Sequence, residues 1–276
     1  MTDIRAASEL RKKYTHFRIL IIGRANAGKT TILKRVCNTT EDPHFYDEEN
    51  NALLEPTSER GHHDINRPFV FRSNPEFIFH DSPGVETGTK TQLEEVQAFI
   101  EKREKATNPR DQLHAIWFCF TPDVSRFLLE FEERFFNERA GNVPVIAIFT
   151  KFDDLISQVY DTALDESDNR QVAQNKLDKL KAPLFNDYQF PPKASVTLEG
   201  MVINLFDYAT LLIFLEMDDD EGKHQEYVKE LIQKTAESLD NLALKMLLVS
   251  VQKNNLQLCI KYAVLNGDVY APSMIL

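Results

Sequence analysis

The sequence predicts an α/β fold, with a mostly parallel sheet, one antiparallel edge hairpin and helices on both faces. Segments typical of strands alternate with segments typical of helices along most of the 276 residues, as expected when helices join parallel strands. Two continuous apolar runs, at residues 115–120 and 143–149, are typical of central strands buried on both faces. A third run, at residues 17–22, leads into a glycine-containing turn and a helix that reaches about Val36.

The chain after this first helix predicts one loop and one hairpin. Residues 38–66 are polar and acidic without a clear period, so we expect a long loop. Two short runs, at residues 68–72 and 76–80, are separated by a Ser-Asn-Pro turn. This spacing predicts the antiparallel hairpin at the sheet edge.

The spacing of apolar residues predicts the remaining elements of the sheet domain. Residues 125–139 carry four apolar side chains on one stripe, opposite glutamates and arginines. Residues 92–105 and 169–180 predict two further helices, and residues 193–198 predict the last strand.

Four segments are expected along the chain. They are an N-terminal segment at 1–16, a main domain at 17–200, an apolar segment with an acidic linker at 201–225, and a helical C-terminal extension at 226–276. The extension is predicted to begin with one long helix, at residues 226–251. We expect its apolar face to pack on the main domain, and docking of a partner is the alternative.

Composition limits the partners. The formal net charge of −11 does not suit nucleic acid or an anionic membrane surface as the main partner. No stretch is long and apolar enough for a membrane span, and the N-terminus has no apolar segment of signal-peptide type. We therefore expect a cytoplasmic protein.

Residues 23–31 read G-R-A-N-A-G-K-T-T and follow directly on the first apolar run. A glycine turn between a strand and a helix lets backbone N–H groups surround a phosphate, and the helix start adds its positive dipole end. Lys29 supplies charge toward the β- and γ-phosphates, and the Thr30 hydroxyl is a ligand for Mg²⁺. The segment predicts a nucleoside triphosphate site, with a simple glycine turn as the alternative.

Residues 80–84 read H-D-S-P-G at the end of a predicted strand. Asp81 at this position can reach Mg²⁺ through a water molecule. Gly84 can donate its backbone N–H to the γ-phosphate, so the segment can respond to hydrolysis.

Residues 150–153 read T-K-F-D after another predicted strand. The Asp153 carboxylate can accept two hydrogen bonds from the guanine edge, which adenine cannot donate, and the Lys151 stem can cover the base. At about 1.5–3 kcal/mol for each charge-assisted bond, two such bonds favour guanine strongly. The alternative interpretation is a helix-capping aspartate beside a surface lysine.

These three motifs together resemble the P-loop GTPases of the translation-factor-related class, and most closely their Era- and MnmE-like GTP-binding domains. The combination also resembles a group of uncharacterised fungal G-domain proteins. The resemblance covers about residues 17–198 and implies a Ras-like G domain that binds GTP and GDP with Mg²⁺.

Carried onto this chain, the resemblance implies a role for each motif residue. Thr150 stands where the family usually has asparagine, and Ala194-Ser195 matches the last base-contacting loop loosely. Thr57 is the expected switch threonine on Mg²⁺, with Thr39, Thr40 and Ser58 as rivals. Lys29 and Thr57 are the expected catalytic residues, and Thr30, Thr57 and Asp81 the expected metal-binding ones. The expected nucleotide-binding residues are Gly23, Asn26, Ala27, Gly28, Lys29, Thr30, Thr31, Gly84, Thr150, Lys151, Asp153 and Ser195.

Hydrolysis is expected to be slow. Ras-type enzymes have a water-orienting glutamine after the D-x-x-G glycine, whereas this chain has Val85 there. Asn26 occupies the position that helps to coordinate K⁺ in MnmE-like GTPases, so K⁺ and dimerisation are a candidate means of acceleration. Shaping of the loop by Asn26 is the alternative.

The sequence thus predicts a GTPase that acts as a nucleotide-dependent switch, with a homodimer or an unidentified protein as partner. The alternatives are a GTP-dependent assembly module without useful hydrolysis and, third, a P-loop ATPase or kinase.

Overall fold

The computed structural model describes residues 13–47, 52–54, 64–82, 90–123, 127–139, 141–199, 220–252 and 256–265. Its centre is an eight-stranded sheet with the order β3-β2-β4-β5-β1-β6-β7-β8. The strands are β1 (Phe17–Gly23), β2 (His44–Asp47), β3 (Ala52–Leu54), β4 (Phe69–Phe71), β5 (Asn74–Asp81), β6 (Ala115–Phe120), β7 (Val145–Phe149) and β8 (Ala194–Thr197).

The sheet has a parallel half and an antiparallel half. Strands β5, β1, β6, β7 and β8 pair in parallel, and β3, β2, β4 and β5 pair antiparallel. The predicted fold class, a mixed α/β fold consistent with a P-loop G domain, is confirmed.

Helices cover both faces of the sheet in the described part of the chain. The helices are α1 (Lys29–Val36), α2 (Lys90–Glu104), α3 (Glu130–Glu138), α4 (Phe152–Gln158), α5 (Glu166–Asn186), α6 (Asp220–Ser238), α7 (Leu242–Val251) and α8 (Leu256–Leu265). One buried cluster joins α1, α6 and α7 to one face, and a second joins α2, α3, α4 and α5 to the other. Alternate residues of β1 enter the two clusters, as the period of two in a strand requires.

The predicted hairpin is confirmed as β4 and β5, but the prediction of a loop at residues 38–66 is wrong in part. Two further strands, β2 and β3, lie within that range and extend the sheet beyond the hairpin. They are four and three residues long, too short for a reliable period. Pairing with β4 therefore decides their conformation.

Two helix predictions are corrected at their boundaries. The helix expected at residues 125–139 begins at Glu130, because Leu129 is extended and donates its N–H to the Glu132 carboxylate at 2.7 Å. The single helix expected at residues 226–251 is broken before α7, where the Asn241 side chain caps the new helix by accepting from the Ala243 N–H at 2.8 Å.

The C-terminal helices pack on the sheet, as expected for the extension. Trp117 in β6 is fully buried and donates its indole N–H to the Thr235 hydroxyl of α6 at 3.1 Å. The Asn74 amide at the start of β5 donates to the Val251 carbonyl at the end of α7 at 3.0 Å. The predicted apolar segment at 202–215 lies outside the described residues, and the domain boundaries stay predictions.

Candidate functional site

The carboxyl ends of the parallel strands bring the sequence motifs to one edge of the sheet. The strand register places Ile21 beside Asp81, Gly23 beside Cys119, and Phe120 beside Phe149. The phosphate loop, Asp81 and the segment after β7 therefore emerge side by side. Ligands of open α/β sheets bind at this kind of edge.

The phosphate loop depends on a close approach at Gly23. A Cβ atom on this residue would lie 2.7 Å from the Cys119 carbonyl oxygen and 2.9 Å from its Cβ, so only glycine fits here. Burial raises the pKa of the Cys119 thiol to about 12, so a neutral thiol lies beneath the loop. The loop is thereby seated directly on the end of β6.

Left-handed backbone shapes the rest of the loop. Asn26 has φ 58° and Gly28 has φ 76°, and asparagine and glycine tolerate this region best. Asn26 is exposed and Ala27 is buried. α1 begins immediately afterwards at Lys29, so the N–H groups of its first turn, including Thr30 and Thr31, have no partner within the helix ladder.

Lys29 is the charged centre of the loop. Its Nζ donates to the carbonyl oxygens of Gly23 and Arg24 at 3.0 and 3.2 Å. The same nitrogen lies 3.8 Å from Oδ1 of Asp81 at the end of β5. The lysine therefore spans the loop and faces the carboxylate predicted to act at the metal.

The oxygen donors at this edge fit Mg²⁺. They are the hydroxyl of Thr30, in the first turn of α1, and the carboxylate of Asp81. Mg²⁺ prefers oxygen ligands and is typically held by one or two protein groups together with phosphates and water. Within the described ranges no group of three or more His, Cys, Asp or Glu residues could hold a metal ion. A site completed by a nucleotide is consistent with this donor set.

The base motif is held by both of its neighbours in the sheet. The N–H and hydroxyl of Thr150 both donate to the Phe120 carbonyl, at 2.8 and 3.1 Å. The Phe152 N–H donates to the Leu198 carbonyl at 3.1 Å. Lys151 has φ 55° and precedes α4, which places Asp153 in the first turn of that helix. Thr150 is fully buried, so its side chain supports the motif from within the sheet.

Ser195 does not lie where the resemblance implied. It is part of β8 and pairs with Ala147, two residues before that strand ends at Thr197. Ala194 and Ser195 therefore lie within the strand expected at residues 193–198, which is confirmed as β8. The positions that follow β8 at the ligand edge are Leu198 and Glu199, and the nucleotide contact of Ser195 stays a prediction.

A buried histidine supports the strand that carries Asp81. The Arg18 guanidinium lies 2.8 Å from His80 Nε2, and His80 Nδ1 lies 2.7 Å from the Ile65 carbonyl. Because arginine only donates, Nε2 accepts and Nδ1 donates. Burial, together with the charge of Arg18, holds the pKa of His80 well below its ordinary value. This neutral histidine joins β5 to the segment before β4.

Sequence reasoning missed Arg24, the second residue of the phosphate loop. Its guanidinium binds both carboxylate oxygens of Glu132 in α3, at 2.9 and 2.8 Å, and donates to the Phe127 carbonyl at 2.8 Å. The usable signals were an arginine inside a phosphate loop and a glutamate between the apolar residues of α3. Neither signal identifies the other residue as its partner.

Two predicted site residues, Thr57 and Gly84, lie outside the described residues, as does Val85. Their predicted roles on Mg²⁺ and the γ-phosphate stay predictions.

Comparison with known families supports the interpretation of the sequence motifs. Residues 18–151 match the family model described as 50S ribosome-binding GTPase. The match spans the phosphate loop and Asp81 and ends within the base motif. It supports a P-loop GTPase domain in this chain, with GTP binding and hydrolysis as the general chemistry of such domains.

A comparison with curated proteins finds no match. Within the described part of the chain, no helix combines the length and apolarity that crossing a bilayer requires.

Proposed function

We propose that the chain binds GTP and GDP with Mg²⁺, hydrolyses GTP slowly and acts as a nucleotide-dependent switch. One observation carries the proposal: Lys29 in the phosphate loop faces Asp81 at 3.8 Å, on the sheet edge that also carries the base motif. A cytoplasmic location and a homodimer or protein partner belong to the same proposal.

The triphosphate is proposed to lie over the start of α1. The backbone N–H groups of residues 23–31 and the helix dipole would surround the β-phosphate. Lys29 would exchange its bonds to the loop carbonyls for the β- and γ-phosphates, since both sets of acceptors are oxygens. The Asp153 carboxylate would accept from the guanine edge, and the Lys151 stem would cover the base.

Mg²⁺ would be held by the Thr30 hydroxyl, by Asp81 through water, and by Thr57. When bound, the ion would supply positive charge against the charge that develops on the phosphoryl oxygens. Lys29 adds a fixed ammonium on the same group, so these side chains stabilise the transition state electrostatically.

Slow hydrolysis is proposed because Val85 cannot orient water by hydrogen bonding. K⁺ beside Asn26 is the proposed accelerator. The exposed Asn26 amide leaves such a contact open, whereas its φ of 58° equally suits the loop-shaping alternative. Comparable turnover in KCl and NaCl, at protein concentrations that permit pairing, would exclude the K⁺ hypothesis.

Two measurements test the function. Calorimetry with GDP, GTP and ATP in the presence of Mg²⁺ should give guanine-specific binding. Single-turnover phosphate release, with and without K⁺, should then show slow conversion of bound GTP. Binding without any release would favour the assembly module, and preference for ATP would contradict the proposal.

A further inference from the structure

The pair of Arg24 and Glu132 combines a phosphate-loop side chain with a carboxylate buried in the neighbouring helix. Both Glu132 oxygens accept from the arginine, and the carboxylate is fully buried while Arg24 is 13% exposed. We propose that Arg24, through Glu132, is the positioning residue that holds the phosphate loop in its nucleotide-binding shape. The inference rests on the proposed function.

The geometry makes this contact stronger than an ordinary surface ion pair. A planar guanidinium on both oxygens of one carboxylate is a two-point contact that fixes orientation as well as distance. Glu132 also accepts from the Leu129 N–H at 2.7 Å, so its position is set by the first turn of α3. Burial removes the screening that weakens exposed pairs. The arginine therefore fixes the position of the phosphate loop relative to α3.

The loop needs this anchor most when nucleotide is bound. In the structure, Lys29 also ties the loop by donating to the carbonyls of Gly23 and Arg24. A lysine that turns to the phosphates gives up those bonds. The bonds of the Arg24 side chain face α3 rather than the Lys29 ammonium, so they can persist through binding. Arg24 then keeps the loop N–H groups aimed at the phosphates.

The same arginine connects the phosphate loop to the strand that precedes the base motif. It donates to the Phe127 carbonyl at 2.8 Å, and the Phe127 ring stacks near Phe120 and Phe149 with centroid distances of 6.3 and 6.1 Å. Thr150 follows Phe149 directly and hydrogen-bonds to Phe120. Arg24 is therefore linked through Phe127 to the strand ends that precede the base motif.

The test compares four variants by titration of a fluorescent GDP analogue and by competition with GTP and ATP. Arg24→Met and Glu132→Gln each remove one side of the pair, and the double variant removes both. Arg134→Met is the matched control, because Arg134 makes a two-point contact with Glu138, at 3.2 and 3.0 Å, on the exposed face of the same helix. Circular dichroism and thermal unfolding establish the folded fraction.

Each single variant of the pair should raise the dissociation constants for GDP and GTP roughly tenfold or more, a loss of the size found when the residues that support metal ligands are removed. The preference for guanine over adenine should persist, since Asp153 is untouched. The double variant should be no weaker than the weaker single variant, because the two residues act as one unit. Arg134→Met should bind like the wild type.

Unchanged affinity in folded Arg24→Met protein overturns the positioning role and leaves GTP binding by the wild type standing. A wild type that binds neither GDP nor GTP overturns the proposed function, and this inference with it. If Arg24→Met does not fold, Arg24→Lys decides the question: it keeps the charge but not the planar fork. That variant should show an intermediate loss of affinity, and wild-type affinity would overturn the proposal.

Discussion

The Lys29 ammonium and the Asp81 carboxylate face each other across the edge of the sheet, with Nζ and Oδ1 3.8 Å apart. One comes from the phosphate loop after β1 and the other from the end of the adjacent strand β5. In the proposed function the β- and γ-phosphates bind at Lys29 and the metal binds beside Asp81, so the two charged groups mark the phosphate end of the site.

Replacing Lys29 with methionine should weaken GDP and GTP binding at least about tenfold, since a charged hydrogen bond contributes about 1.5–3 kcal/mol. Calorimetry measures the loss. Lys34→Met is the matched control, because Lys34 lies on the same helix but pairs with Asp42 at 3.1 Å. Equal affinities in Lys29→Met and the wild type would contradict the phosphate role.

Replacing Asp153 with asparagine should remove the preference for GTP over ATP. The amide offers one acceptor oxygen and a mismatched donor, so the paired contact with the guanine edge is lost. Competition of GTP and ATP for the bound fluorescent GDP analogue measures the ratio. The neighbouring Asp154→Asn serves as control and should keep it. If the Asp153→Asn variant keeps the preference for guanine, another residue recognises the base.

Replacing Gly23 with alanine should destabilise the fold by about 1–3 kcal/mol, because the new methyl meets the Cys119 backbone and cannot be accommodated by a side-chain movement. Nucleotide binding should fall in parallel. Gly141→Ala is the comparison: φ is +87° and the methyl would meet the Glu104 carboxylate, before the start of β7 and therefore at the end of that strand opposite the base motif. Urea unfolding should show a lower free energy of unfolding in both variants, and nucleotide affinity should change only in Gly23→Ala.

Stability should fall on acidification, in part through His114. Burial and the Arg18 charge lower the pKa of His114 to about 3, against about 6.5 in an unfolded chain. At pH values between these two pKa values, the unfolded state binds a proton at His114 and the folded state does not. The free energy of unfolding therefore falls as the pH drops from about 6.5, by at most ~1.4 kcal/mol per pH unit from this residue. Denaturation at several pH values should show a shallower dependence in His114→Gln, and identical slopes would refute this.

Replacing Thr235 with valine should destabilise the protein by about 1–3 kcal/mol, because the buried Trp117 N–H loses the hydroxyl that it reaches at 3.1 Å. Thr235→Ser keeps the hydroxyl and should lose much less. Chemical unfolding followed by Trp117 fluorescence measures the free energy of unfolding of both variants. A valine variant as stable as the serine variant would mean that this bond contributes nothing to holding α6 on the sheet.

The local sequence predicted an element correctly where the residues of that segment alone determine its conformation. The apolar runs of β1, β6 and β7, the hairpin of β4 and β5, and the position of the phosphate loop follow from hydrophobicity and turn residues alone. The strands β2 and β3 were missed because their pairing partners, not their own residues, fix them. The strand expected at residues 193–198 is found as β8, whereas a loose motif match at Ser195 could not show where that residue lies relative to a nucleotide.

The sequence by itself determined which chemical groups are present. These are a glycine loop that can surround phosphate, a lysine and a threonine beside it, and two aspartates at or just after the ends of strands. Only the tertiary structure decided which of these groups share one edge and what holds them there. Arg24 and Glu132 are 108 residues apart, and Trp117 and Thr235 are 118 apart. Contacts at such separations arise from packing of the whole chain and leave no local period, whereas strands, helices and turns are set by neighbours a few residues away.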